Sequence, residues 1–260
     1  MIITSNIPTP GGAPPAPAGT LLAVAIDVEW SKNYRVRSDN VPFCYSVAWL
    51  ALSRENAMPS SFGFWYTSAY VHGTGETGDL VASADSALLR TLENADLIAG
   101  HQLSSDLAVL AAAARTPFLG VTAAQAAWRR RGQLFPGGPR LLDTRYDTGN
   151  VLRCASRRLV DVCAELRLDV TQPELRGTSM TALHRRWLER AETSAREKIT
   201  VLNLRHALST ALVAAHAAGL ASWPPPGLNV NKMLATGLDG ALGWLGDPVF
   251  AALLEEPGAA

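Results

Sequence analysis

Up to Val71 the apolar side chains come in short runs and alternations; beyond it they recur at helical spacing. Residues 21–30 (LLAVAIDVEW) form an apolar run that closes on two carboxylates, the pattern of a buried strand whose C-terminal end carries Asp27 and Glu29. Residues 43–52 (FCYSVAWLAL), rich in aromatic and β-branched side chains, predict a second strand. Residues 61–71 (SFGFWYTSAYV) predict a third, with Tyr and Trp at near-alternate positions. Three consecutive strands with short connections predict an antiparallel meander.

The helical pattern begins at residues 83–95 (SADSALLRTLENA), which open on Ser and Asp and put Leu88, Leu89 and Leu92 on one face. Residues 96–100 (DLIAG) read as a short strand and 104–115 (SSDLAVLAAAAR) as an Ala-rich helix. A β-β-β-α-β-α order predicts an α/β domain, a mixed sheet flanked by helices. Residues 116–140 are loop-rich, with Pro117, Pro136, Gly137, Gly138 and Pro139, before a further strand at 141–144 (LLDT). Helical segments follow at 157–168, 179–195 and 199–218, and WPPP at 223–226 stops the pattern because Pro cannot continue a helix. The expected organisation is a disordered Pro/Gly/Ala-rich arm at 1–20, one domain at 21–222 and a weakly structured C-terminal extension at 223–260.

Composition narrows the class. The chain has 260 residues, 48% hydrophobic and 18% charged, enough for a proper core and too apolar for a disordered protein. Lys+Arg and Asp+Glu both number 23, which argues against a simple DNA-coating protein. Their distribution is uneven: between Trp128 and His206 sixteen basic residues face nine acidic ones, leaving the remainder acidic by seven. Such a block suits a polyanion such as a nucleic-acid backbone, or else an Arg-rich solvated helix surface. Cys44, Cys154 and Cys163 form no even framework and show no metal spacing, so reduced thiols and a cytoplasmic location are expected. No basic-then-apolar leader precedes Asp27, and no run approaches the roughly 20 apolar residues of a membrane span, so no membrane partner is expected.

Asp27 and Glu29, two apart on a strand, project from one face. Ionised carboxylates so placed need a cation, and oxygen ligands suit Mg²⁺ or Mn²⁺; Asp-x-Glu equally describes the polar edge where a strand meets solvent. Asp106, in GHQLSSDLAVL, falls in a first helical turn, where the helix dipole alone favours an acid. His101 closes the preceding strand. Trp30, Lys32, Tyr34, Arg35 and Arg37 follow Glu29 and read either as a strand-binding lip of aromatic and basic side chains or as a polar hairpin loop.

Taken together, IDVE at Asp27 and Glu29 and GHQLSSD ending at Asp106 resemble the first two motifs of the DEDD superfamily of 3′–5′ exonucleases. LLDT at 141–144 looks like that family's Asp-Thr segment, and SRRLVDVCAELRL at 156–168 like the helix before its last motif. The resemblance spans roughly residues 21–220. It implies a ribonuclease H-like fold and two divalent ions, Mg²⁺ or Mn²⁺, held about 3.5–4 Å apart by four acids. It also implies single-stranded nucleic acid or an oligonucleotide as partner, with Asp27, Glu29 and Asp106 as metal ligands; Trp30 and Lys32, from the aromatic and basic lip, and His101 are the expected substrate contacts.

The third motif departs from the family. In LNLRHALSTALVAA (202–215) the tyrosine-type pattern puts Leu202 at the Tyr and His206 at the final Asp. The histidine-type pattern puts Arg205 at the His and Thr210 at the Asp. Glu197 is more than two helical turns from His206 and cannot take its place. His206 is the candidate substitute ligand, and imidazole favours Mn²⁺ or a transition metal over Mg²⁺. The expectation is a metal-dependent 3′–5′ exonuclease with Asp27, Glu29, Asp106 and His206 as catalytic residues. The alternatives are a catalytically degenerate binding or interaction module of the same fold, and a hydrolase of short oligonucleotides.

Overall fold

A computed structural model of the chain describes residues 1–9, 12–31, 40–53, 63–132, 138–149, 151–153 and 155–255. Lys32, Tyr34, Arg35 and Arg37 lie outside the described residues, as does Cys154.

The three expected strands are present as β2 (Thr20–Ser31), β3 (Val41–Ser53) and β4 (Gly63–Tyr70), following a short β1 (Ile2–Ser5). They pair antiparallel in the order β1-β4-β3-β2, and the sheet continues with parallel strands β5 (Leu97–Gly100) and β6 (Arg140–Asp143). The result is a six-stranded mixed sheet in an α/β fold. A two-residue pair, β7 (Leu168–Asp169) with β8 (Leu228–Asn229), stands apart from it.

Alternation along β2 divides the molecule into two cores. Leu22, Val24, Ile26 and Val28 point to one face and pack with residues of α1 (Thr77–Asn94), α2 (Leu103–Ala113) and α3 (Leu119–Arg129). Ala23 and Ala25 point to the other, with Ala48 and Ala99 from the adjoining strands. These small side chains let one long helix lie close to the sheet. After the short helices α4 (Leu159–Glu165) and α5 (Met180–Arg190), α6 (Thr193–Ala217) crosses β2, β3 and β5. It answers with Ala207, Ala211, Ala214 and Ala215, all fully buried. Buried nearly all round, with Asn203, Arg205, Ser209 and Thr210 enclosed among its apolar residues, α6 is a core helix rather than an amphipathic surface one.

Two expectations are corrected. The N-terminal arm is not wholly disordered: the β-branched run Ile2-Ile3-Thr4 pairs with β4, which offers an open edge. The C-terminal extension is not weakly structured either. It forms α7 (Val230–Leu238), a 3-10 turn at Gly243–Gly246 and α8 (Pro248–Ala251), and buries Leu234, Trp244 and Phe250 in the core beneath α6. Among the described residues, no helix is long and apolar enough to cross a membrane.

Candidate metal centre

The carboxyl ends of the parallel strands are where open α/β sheets gather ligands, and the chemistry collects there. Asp27 and Glu29 continue the Ala23-Ala25 row of β2, so both face α6. From α6, Asn203 and His206, one turn apart, face back toward them. His206 Nδ1 lies 3.6 Å from Asp27 Oδ2 and 3.6 Å from Glu29 Oε1. One donor atom from each of the three residues falls within 4.8 Å of the others. Adjacent ligands of an ion with bonds of about 2.1–2.2 Å sit roughly 3 Å apart and opposite ones roughly 4.3 Å. The two 3.6 Å separations fall inside that interval. Side-chain exposures of 14% for Asp27, 18% for Glu29 and 22% for His206 leave it open to an ion or a substrate.

Asn203 fixes the first ligand. Its Nδ2 donates to Asp27 Oδ2 at 2.6 Å and to the Asp27 carbonyl at 3.3 Å. Its Oδ1 accepts from the buried Cys44 thiol at 3.6 Å, and Cys44 is the cross-strand partner of Glu29. On the far side of the ring, His206 Nε2 meets the amide nitrogen of Gln172 at 3.0 Å.

Electrostatics mark the cluster as short of positive charge. Burial raises the Glu29 carboxyl above its ordinary value, with His206 opposing and Asp27 adding to the rise. Burial works against a charged His206, but Asp27 and Glu29 outweigh it and lift the imidazole to about 9. Behind them Asp106 is fully enclosed in the first turn of α2. Burial, then the charges of Asp27, Glu29 and Asp143, hold its carboxyl well above the usual carboxylate range. Its Oδ2 has no hydrogen-bond partner. Asp106 is not among the three residues whose donors converge, though its charge is coupled to theirs.

The turn from β5 into α2 places His101 and Asp106. A Cβ on Gly100 would come within 2.7 Å of Leu103 Cβ, so glycine permits the tight exit, and Gln102 completes it with a left-handed φ of 78°. Asp143, at the end of β6, accepts from the backbone N–H of Gln102, Leu103 and Arg145. It thus caps α2 and ties the β5 and β6 ends together. Thr144 meets His101 Nδ1 at 2.9 Å, and burial pushes His101 down to about 4.

Other expected residues fall elsewhere. Trp30 packs against the opposite core, beyond a register shift between Glu29 and Trp30, and does not join the cluster. Arg205 is fully buried, with both Glu174 carboxylate oxygens accepting from its guanidinium at 2.7 and 2.8 Å. Leu202 is buried and brings no hydroxyl to the site. Sequence reasoning gave no role to Gln172, and Asn203 entered only as a residue that fits the tyrosine-type pattern, one turn before His206 on the same helix face.

The donor set suits one divalent ion of the Mn²⁺ type: two carboxylates and an imidazole converge, and a buried carboxylate without a hydrogen-bond partner lies behind them. No family model, no curated protein and no solved structure matches this chain.

Proposed function

We propose that the chain is a ribonuclease H-like, metal-dependent 3′–5′ exonuclease that hydrolyses phosphodiesters at single-stranded DNA or RNA ends. The convergence of Asp27, Glu29 and His206 within 4.8 Å carries the reading. An antiparallel meander continued by two parallel strands, with the acids at the strand ends, is compatible with that fold. Asp27, Glu29 and His206 would hold the ion, with Asp106 adding negative charge from behind. A divalent ion there supplies Lewis acidity toward a phosphodiester oxygen and lowers the pKa of a bound water.

The chain's own groups do the rest. Asn203 holds the Asp27 carboxylate in one rotamer. His101, kept neutral by burial, has Nδ1 on the Thr144 hydroxyl and a buried Nε2, so it braces the β5 end instead of offering a nitrogen to substrate. Past the end of β6, Tyr146 is half exposed, with the guanidiniums of Arg145 and Arg157 each 5.8 Å from its ring centroid. Two strand spacings, roughly 10 Å, separate β6 from β2. A strand whose end lies at the acids therefore has an aromatic face and two cations for its next nucleotides.

Mn²⁺ or Mg²⁺ should support release of mononucleotides from a 5′-labelled single strand, and Asp27→Ala should abolish it while the far-ultraviolet spectrum stays unchanged. A folded protein that cleaves neither DNA nor RNA with either metal would overturn the proposal.

One observation favours a second reading, a binding module without turnover. His206 Nδ1 lies 3.6 Å from both carboxylates, which lift the imidazole to about 9, so a protonated ring would serve as a built-in cation. This reading predicts salt-dependent retention of single strands that no metal converts to cleavage.

A further inference from the structure

His206 is held from two sides, and the two sides are chemically linked. Nδ1 faces Asp27 and Glu29, at 3.6 Å each, while Nε2 meets the amide nitrogen of Gln172 at 3.0 Å. A neutral imidazole carries one proton, so the group at Nε2 decides what Nδ1 can do. If the Gln172 amide nitrogen donates to Nε2, the proton sits on Nδ1 and points at the carboxylates, where it occupies the place of an ion. If the amide turns over and Oε1 accepts from Nε2–H, the Nδ1 lone pair points at the carboxylates and completes a ligand set. The two amide orientations have the same shape and exchange only O for N.

The backbone that carries Gln172 is tied to the helix of His206. It leads into the 3-10 turn Pro173–Leu175, whose Glu174 is clamped by Arg205, the neighbour of His206 in the chain. Trp244 Nε1 donates to the same carboxylate at 3.0 Å, and Asn231 Oδ1 accepts from Arg205 Nε at 2.7 Å. The segment bearing Gln172 and the helix bearing His206 are therefore bolted together by a buried network that includes the C-terminal residues. A hollow of about 330 Å³ lined by Asp169, Val170, Thr171 and Gln172 leaves room beside the carboxamide.

We infer that Gln172 is the positioning residue of the metal centre: by turning its carboxamide over, so that Oε1 replaces the amide nitrogen and accepts from Nε2–H, it fixes the His206 tautomer in which Nδ1 ligates the ion beside Asp27 and Glu29. The inference rests on the metal-centre reading above. Metal-bound histidines commonly donate their other N–H to an oxygen acceptor, and loss of that acceptor typically costs about 10–100-fold in metal affinity.

Mn²⁺ affinity is measured by electron paramagnetic resonance on wild type, Gln172→Glu and Gln172→Leu, with the ring tautomer read by long-range ¹⁵N–¹H NMR of the Zn²⁺-loaded proteins. Gln172→Glu, which can only accept, should bind at least as tightly as wild type and show the Nε2–H tautomer. Gln172→Leu should bind about 10–100-fold more weakly with an unchanged melting temperature. Wild-type binding matched by Gln172→Leu would overturn this inference alone, as would a Gln172→Glu variant as weak as the leucine one. A wild type that binds no Mn²⁺ would overturn the metal centre itself.

Discussion

At the scale of the residue, the substitution that separates this chain from the pattern it resembles is His206 for a carboxylate. Imidazole favours Mn²⁺ and its neighbours over Mg²⁺, so His206→Asp should move the metal preference toward Mg²⁺. Parallel cleavage assays with the two ions measure it, and an unchanged preference would argue that His206 is not a ligand. A second titratable residue affects stability instead of chemistry. His184 is buried, stacked on Phe43 and bonded through Nδ1 to the Tyr70 hydroxyl at 2.9 Å, and burial holds it at about 4. Its folded value lies below the unfolded one near 6.5, so the unfolded chain takes up the proton first. The contribution is complete above pH 6.5, falls as pH drops toward 4 and levels off below that. Between pH 7 and pH 4.5 it should amount to on the order of 2–3 kcal/mol, measured by urea unfolding. His184→Gln should flatten that part of the profile, and a slope unchanged by the substitution would discount the residue. Asp27, Glu29 and His206 were legible because a strand period and a helix period each announce a face. Gln172 was not, since its contact joins residues 34 positions apart and nothing in its local pattern marks it; Asn203 shares the His206 face, but its partner Asp27 lies 176 positions away.

At the scale of the element, the central strands and helices followed from their periods, and the differences have physical reasons. The α1 helix starts at Thr77, ahead of the Ser-Asp signal at residue 83, and has no side-chain cap at its first turn. The α3 helix occupies Leu119–Arg129 inside a stretch that prolines made loop-like; those prolines flank the helix and do not interrupt it. Gly and Pro likewise dilute the period of residues 227–255, yet tertiary burial of Leu234, Trp244 and Phe250 orders them. Arg205 joins this last segment to α6. Breaking a buried ion pair from one side leaves a stranded charge and costs about 3–5 kcal/mol. Arg205→Met should lower the denaturation midpoint accordingly, and adding Glu174→Leu should restore much of the loss. A single variant as stable as wild type would show the network to be expendable.

At the scale of the whole molecule, zero net charge proves to be the sum of two unlike regions. The acidic part of the chain supplies Asp27, Glu29 and Asp106, and the basic stretch supplies Arg145 and Arg157 across the strand ends. A strand bound across both should show log K falling linearly with log salt concentration, with a slope of roughly −0.7 for each phosphate neutralised. Arg145→Ala and Arg157→Ala should each reduce that slope by about 0.7, and Tyr146→Ala should weaken binding by about 1–3 kcal/mol at any salt. Fluorescence anisotropy with a labelled oligonucleotide distinguishes the two effects; a slope indifferent to both arginines would place the strand elsewhere. The central claim is the ion itself. A crystal soaked in Mn²⁺ and measured at the manganese absorption edge should show an anomalous peak about 2.0–2.3 Å from Asp27, Glu29 and His206 Nδ1. A map with no peak there, and His206 still directed at the two bare carboxylates, would contradict the account.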